Sequence, residues 1–186
     1  LTWDAIETRE QGTSLNPFIL NVSDNIACGT TLPIKFTLTG KNRTIDFENN
    51  ILLGTNIGQQ ETFAASGLPI PVLDNQTATA EIAIASEGDW ANEAAISNAR
   101  LKFDIQHTYI GDLTVHLQSP RGEKVLIYKG RGGADDVHFD QDITDKFAGQ
   151  VGAGTWSLQV YDKANRDEGN LDTFNLILTP ALYECN

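Results

Sequence analysis

Apolar and polar residues alternate with a period of two along two consecutive segments in the middle of the chain. In the first, Ala99, Leu101, Phe103 and Ile105 alternate with Arg100, Lys102, Asp104 and Gln106; in the second, Leu113, Val115 and Leu117 alternate with Thr114, His116 and Gln118. Successive side chains of a strand point to opposite faces, so this spacing predicts strands with one buried and one wet face. Gly111 and Asp112 supply a turn or bulge between the segments, and Ser119, Pro120, Arg121 and Gly122 end the second with turn residues. The pattern over residues 96–120 predicts two adjacent strands of an antiparallel sheet.

The same period continues outward from this pair. Residues 79–85 predict a strand with Ile82 and Ile84 inward, residues 88–95 a polar connection, and residues 124–129 another strand. Residues 155–161 and 171–178 complete the set, with Trp156, Leu158 and Val160, then Phe174, Leu176 and Leu178, inward. No segment joins a helix cap to an apolar stripe; a short turn over residues 143–147 is the one helical expectation. Nearer the N-terminus, residues 18–22, 32–38 and 44–53 read as three short strands, which together make a poor independent core. Gly54, Gly58, Gly67, Pro69 and Pro71 punctuate residues 54–71, which read as a linker.

Composition narrows the class. At 186 residues the chain accommodates one domain, or one domain and a fragment of another. Asp and Glu total 25 against 13 Lys and Arg, a net charge of −12. Phosphate backbones demand basic surfaces, so nucleic acid is excluded as a partner. No apolar run approaches the ~20 residues needed to span a bilayer. The chain has no methionine and no signal peptide, and is expected to be a mature fragment of a longer protein.

The segment HTYIGDLTVHLQSPRGEKVLI, residues 107–127, resembles the signature of the P domain (P/Homo B domain) that follows the catalytic domain in kexin- and furin-like and bacterial secreted subtilisin-like serine proteases. Pro71-Val72-Leu73-Asp74-Asn75 resembles that family's entry strand. Gly154 to Leu158, then Val160-Tyr161-Asp162 and Gly169-Asn170-Leu171, are similar to its closing strands. The resemblance covers about residues 68–180. It implies an all-β, jelly-roll β-sandwich over residues 68–186, which stabilises or regulates a protease without performing the cleavage. Residues 1–67 resemble the tail of an Ig-like β-domain followed by a linker. The implied partner is the catalytic protease domain of the same polypeptide, and the implied location is extracellular, with an extracellular protein or polysaccharide as a further possible contact. In such an exported domain Cys28 and Cys185 are expected to form a disulfide, worth about 3–5 kcal/mol in the loop-entropy model; in a cytosolic protein they would be two lone thiols. The sequons at Asn21, Asn42 and Asn75 matter only in a host that glycosylates exported proteins.

Candidate chemistry is sparse. Gly12-Thr13-Ser14 begins like the subtilase nucleophile motif, but Leu15-Asn16-Pro17 follows where that motif continues on a buried helix, and no histidine precedes Ser14. Ser14 therefore reads as a loop residue. His107, His116 and His138 lack the compact pair spacing of zinc ligands, and His107 stands where the family carries a histidine within its sandwich. The aspartates are more informative. Asp135, Asp136, Asp140, Asp142 and Asp145 fall in one stretch, GGADDVHFDQDITDKF. Ca2+ takes six to eight hard oxygen ligands, which flexible acidic loops supply; the stretch resembles the family's Phe-Asp-Asp segment, and the resemblance to bacterial members implies structural calcium. The stretch reads either as a calcium site or as a solvated acidic loop. Asp112 and Asp162 end strands, where a carboxylate fixes a turn or completes a metal shell near the acidic loop. Asp112, Asp135, Asp136, Asp140, Asp142 and Asp162 are thus the candidate metal ligands; no catalytic set is assembled. A jelly-roll carbohydrate- or surface-binding module is the competing reading, although Trp3, Trp90 and Trp156 lie on different segments rather than in a row.

Overall fold

The structure, a computed structural model, describes residues 14, 16, 18–40, 42–133 and 136–185. It divides into two compact units, Leu1–Leu53 and Gly54–Asn186.

In the first unit β1 (Thr31–Thr39) and β2 (Thr44–Leu52) form an antiparallel hairpin. The register sets Leu32, Ile34, Phe36 and Leu38 opposite Ile51, Asn49, Phe47 and Ile45, so one face is apolar nearly throughout. Phe36 and Phe47 stack with ring centroids 5.1 Å apart. Residues 18–22, expected as a strand, do not join a sheet; Phe18 packs edge-on against Phe36 at 5.8 Å, so its apolar character serves side-chain packing rather than a ladder.

The second unit contains β3 (Thr55–Asn56), β4 (Glu61–Ala64), β5 (Ile70–Val72), β6 (Thr77–Ile84), β7 (Ile96–His107), β8 (Leu113–Gln118), β9 (Lys124–Lys129), β10 (Val137–Asp142), α1 (Thr144–Phe147), β11 (Gly154–Asp162), β12 (Gly169–Pro180) and β13 (Tyr183–Glu184). One sheet runs β10-β7-β12-β4, with β5 also on β12; the other runs β6-β11-β8-β9. Laid over each other, β5-β12-β7-β10 and β6-β11-β8-β9 have the strand order of a jelly roll, an eight-stranded double sheet in which the chain repeatedly changes sheet. The expected all-β sandwich is therefore present. Among the described residues no helix is long and apolar enough to cross a membrane.

Three expectations are corrected. The central pair is not a hairpin: β7 pairs with β10 and β12, while β8 pairs with β11 and β9. Alternation states which face of a strand is buried, not which strand lies beside it, and a 3-10 turn over Ile110–Asp112 carries the chain between sheets. The acidic stretch is not all loop. Val137 and Phe139 point inward, Phe139 stacks on Phe103 at 4.7 Å, and the segment becomes an edge strand. Finally, residues 54–71 are not a free linker, and the second unit begins at Gly54 rather than at Leu68. β4 and β5 both hydrogen-bond to β12, and Phe63 packs edge-on against Trp90 at 6.0 Å.

The core is apolar and rich in aromatic rings. Trp156, Phe103, Phe147 and Phe174 are fully buried, and every inward residue expected on β11 and β12 is no more than 1% exposed. Each such side chain contributes about 1.5–3 kcal/mol by leaving water. The Trp156 indole donates to the Gly152 carbonyl at 2.9 Å and the Trp90 indole donates to Glu61 at 3.0 Å, so neither ring leaves its N–H unsatisfied. Both cysteines are disulfide-bonded.

Candidate functional site

The polar groups of the sandwich gather in two places. The first is the end where β7 and β11 finish. The last residue of β7, His107, and the last of β11, Asp162, come from opposite sheets, and their side chains are fully buried. His107 Nε2 lies 3.4 Å from Asp162 Oδ2, and neither atom has another partner among the described residues. The other imidazole nitrogen lies 3.1 Å from the Tyr109 carbonyl oxygen, while Asp162 Oδ1 accepts the Ala164 N–H at 3.1 Å. Gly169 makes the arrangement possible: a Cβ there would come within 1.9 Å of the Gln106 carbonyl oxygen and 2.6 Å of the His107 ring. Around this end Asp136 accepts the His107 N–H at 3.4 Å, and Lys163 lies 3.5 Å from Asp112.

The second place is the outer face of the β10-β7-β12 sheet. Asp140 sits between Arg100, which donates its Nε–H, and Lys102 at 3.1 Å. The Arg100 hydrogen bond holds the Asp140 carboxyl below the usual carboxylate range, and Asp140 in turn raises Arg100. Asp142 accepts the Thr144 N–H at 2.8 Å at the start of α1, and that bond lowers its pKa. Asp104 accepts from Thr173 Oγ1 at 2.6 Å and meets His138 Nδ1 at 2.7 Å. The Thr173 bond, then the His138 bond, lowers Asp104, while Asp104 raises His138. This trio was not anticipated. Its signal lay in the register, since Asp104 is opposite both His138 and Thr173, and register is not written in the alternation of either strand alone.

The described candidate metal ligands fall in two places, Asp112, Asp136 and Asp162 around the end of β7 and β11 and Asp140 and Asp142 on β10. Asp140 and Asp142 share an exposed edge strand but are engaged by cations and by a backbone N–H, Asp112 faces Lys163, Asp136 meets the His107 backbone, and Asp162 is buried against an imidazole. Asp135 lies outside the described residues. A calcium ion needs several oxygens converging on one point, and among the described residues no group of three or more His, Cys, Asp or Glu side chains is placed to hold a metal ion. Of the other residues singled out, His107 is held as a structural histidine would be, Trp90 and Trp156 are buried, and Ser14 donates to the Asn16 carbonyl oxygen at 2.6 Å. His116 is partly buried on β8; that burial, with Lys124 nearby, lowers its pKa.

Comparison with known proteins agrees with this architecture. The proprotein convertase P-domain model matches residues 96–178, from the first residue of β7 into β12. The chain is 36% identical over 118 residues to the calcium-dependent protease of Nostoc sp., covering 59% of this chain and 17% of that protein. It is 28% identical over 123 residues to leupeptin-inactivating enzyme 1 of Streptomyces exfoliatus, covering 66% of this chain and 27% of that protein. Among solved structures it is similar to the Aeromonas sobria serine protease in complex with its chaperone, with a TM-score of 0.49, 14% identity, and coverage of 80% of this chain and 36% of that one. The chain thus spans well under a third of the length of these curated relatives. The matched segment supplies strands to both sheets of the sandwich, and residues 96–178 of this chain are similar to the proprotein convertase P-domain.

Proposed function

We propose that the chain is a non-catalytic accessory domain of a secreted subtilisin-like serine protease, stabilising the catalytic domain of the same polypeptide. The observation that carries this reading is the P-domain match over residues 96–178, a segment that supplies strands to both sheets. The geometry of the polar groups is consistent with it. A hydroxyl nucleophile needs a base to take its proton. In the Asp104 trio the carboxylate lies in the middle, so Thr173 donates to Asp104 rather than to His138. His107 faces Asp162 with both side chains fully buried. The disulfide supports an exported location. The hairpin of residues 31–52 we assign to part of an Ig-like β-domain.

The Nostoc relative's name attaches calcium dependence to that whole protein. In this chain Asp140 is paired with Arg100 and Lys102 and Asp142 accepts the Thr144 N–H, and the stabilising role is proposed to rest on packing. A carbohydrate-binding role fits less well, because Trp90 and Trp156 are both in the core and give no stacking platform.

The test compares the parent polypeptide with a version truncated before Gly54. The catalytic domain is expected to melt at a lower temperature, and to lose activity faster on warming, when the P domain is removed. An unchanged melting temperature would overturn the reading. The purified chain itself is expected to hydrolyse no peptide substrate; hydrolysis lost on replacing Thr173 or a histidine would make it an enzyme.

A further inference from the structure

The outer faces of the two sheets are built differently. On the β10-β7-β12 face, charges are plentiful and satisfied within the domain, Asp140 by Arg100 and Lys102, Asp104 by His138. On the other sheet the outward positions of the two central strands carry no Asp, Glu, Lys or Arg. Thr114, His116 and Gln118 of β8 lie in register with Tyr161, Gln159 and Ser157 of β11. The chain holds 25 Asp and Glu, yet Glu81 on β6 is the one carboxylate among the outward positions of this sheet's four strands. Lys124 and Lys129 stand at the opposite edge, on β9. The His116 imidazole is pushed toward its neutral form by burial and by Lys124. Gln159 donates to Gln118 at 3.0 Å, and two large apolar groups, Leu126 at 49% and Tyr161 at 40% exposure, complete the surface. Depletion of charge marks the core of a protein interface, because covering such a face strips water from no ion.

We propose that this face is where the catalytic domain of the same polypeptide docks, a proposal that rests on the accessory-domain reading above. The make-up of the face selects this occupant over others. With two large apolar side chains it is too polar to hold a free partner strongly. A tethered domain, present at an effective concentration of roughly millimolar, needs no more than that. A second copy would bring a second charge of −12, and self-repulsion opposes that pairing. A polysaccharide would want a row of aromatics, and Tyr161 stands by itself. The curated relatives leave room for the tethered domain, since the match spans 17% and 27% of their lengths.

Hydroxyl-radical footprinting read by mass spectrometry tests the assignment, applied to this chain alone and to the parent polypeptide. Tyr161, Leu126 and His116 are expected to label readily in the chain alone and to be protected severalfold in the parent, while His138 on the opposite face labels equally in both. Equal labelling of all four would overturn the proposal. So would protection that rises with the concentration of the isolated chain, which assigns the face to a second copy, or protection of the isolated chain by a neutral dextran, which assigns it to a glycan. As a second measurement, Ser157→Asp with Gln159→Glu is expected to lower the melting temperature of the catalytic domain in the parent while this chain, tested alone, melts as before. If truncation of the P domain destabilises the catalytic domain but the footprint is unchanged, the docking face is wrong and the accessory role stands. If truncation has no effect, the accessory role itself fails.

Discussion

The hairpin of residues 31–52 and the sandwich of the second unit are written in the same alternating code, yet they spend it differently. In the hairpin Phe47, Leu38 and Ile45 remain 50%, 44% and 40% exposed, and among the described residues each strand has one neighbour in a two-stranded sheet. In the sandwich Phe103, Leu158 and Leu176 are 0% exposed, because a second sheet closes over the first. Alternation makes a strand amphipathic; a stable core needs another layer to cover the apolar face. The sandwich therefore has its own cooperative stability, while the hairpin contributes little by itself.

The largest effects are expected where that second layer is broken. Trp156→Ala removes a ring packed edge-on against Phe147 at 5.2 Å and should cost about 3–5 kcal/mol in denaturant unfolding. A loss below about 1 kcal/mol would show that the core is not the source of stability. Asp162→Ala leaves the buried His107 imidazole without its partner, and an unsatisfied buried polar group costs about 1–3 kcal/mol. Replacing both residues with leucine should recover part of that loss, and a double variant no better than the single one would show that the pair is not coupled. The equivalent deletion in the hairpin, Phe47→Ala, should cost about 1 kcal/mol or less, since half of the ring is already in water. A cost matching that of Trp156→Ala would mean that the hairpin is covered in solution.

Surface pairs should matter least. Asp140→Asn breaks exposed contacts to Arg100 and Lys102 and should leave the melting temperature within the scatter of replicate measurements. It should also leave unchanged any response of melting to added calcium; loss of such a response would make Asp140 a ligand. The His138–Asp104 pair is expected to show as pH dependence. Asp104 raises the His138 pKa in the folded chain, so its stabilisation is complete below the unfolded value of about 6.5 and is lost as pH rises through the folded value. Asp104 is lowered by Thr173 and His138, so its own contribution is present above the ordinary carboxylate value and is lost as pH falls through its folded value. The melting-temperature gap between the native chain and His138→Ala should therefore narrow as pH rises above about 6.5 and through the raised folded value. A constant gap would mean that the pair does not form.

Much of this molecule was legible in the chain alone. The inward sets on β6, β7, β8, β11 and β12 are those that alternation marks, and Trp156 is core for the reason its register with Leu158 and Val160 suggests. The ordered motifs from His107 to Leu171 carried the family. β10 was legible as well, through Val137 and Phe139, but the density of aspartates around them drew the reading toward a loop. β4 and β5 were obscured by nearby Gly and Pro, since a two- to four-residue strand is too short for its period to show.

What the chain alone could not state was who sits beside whom. Burial is a property of one strand's own periodicity, so the pattern determined which side chains enter the core, and the β-sandwich came from the family resemblance. Pairing is a property of two segments distant in the chain. Only the tertiary structure decided that β7 and β8 part into different sheets, and that His107 meets Asp162 across the core. It likewise decided that Asp140 falls between Arg100 and Lys102 instead of beside Asp136. A carboxylate's chemistry depends on the charges and donors within a few ångströms, and those neighbours are set by how the sheets assemble.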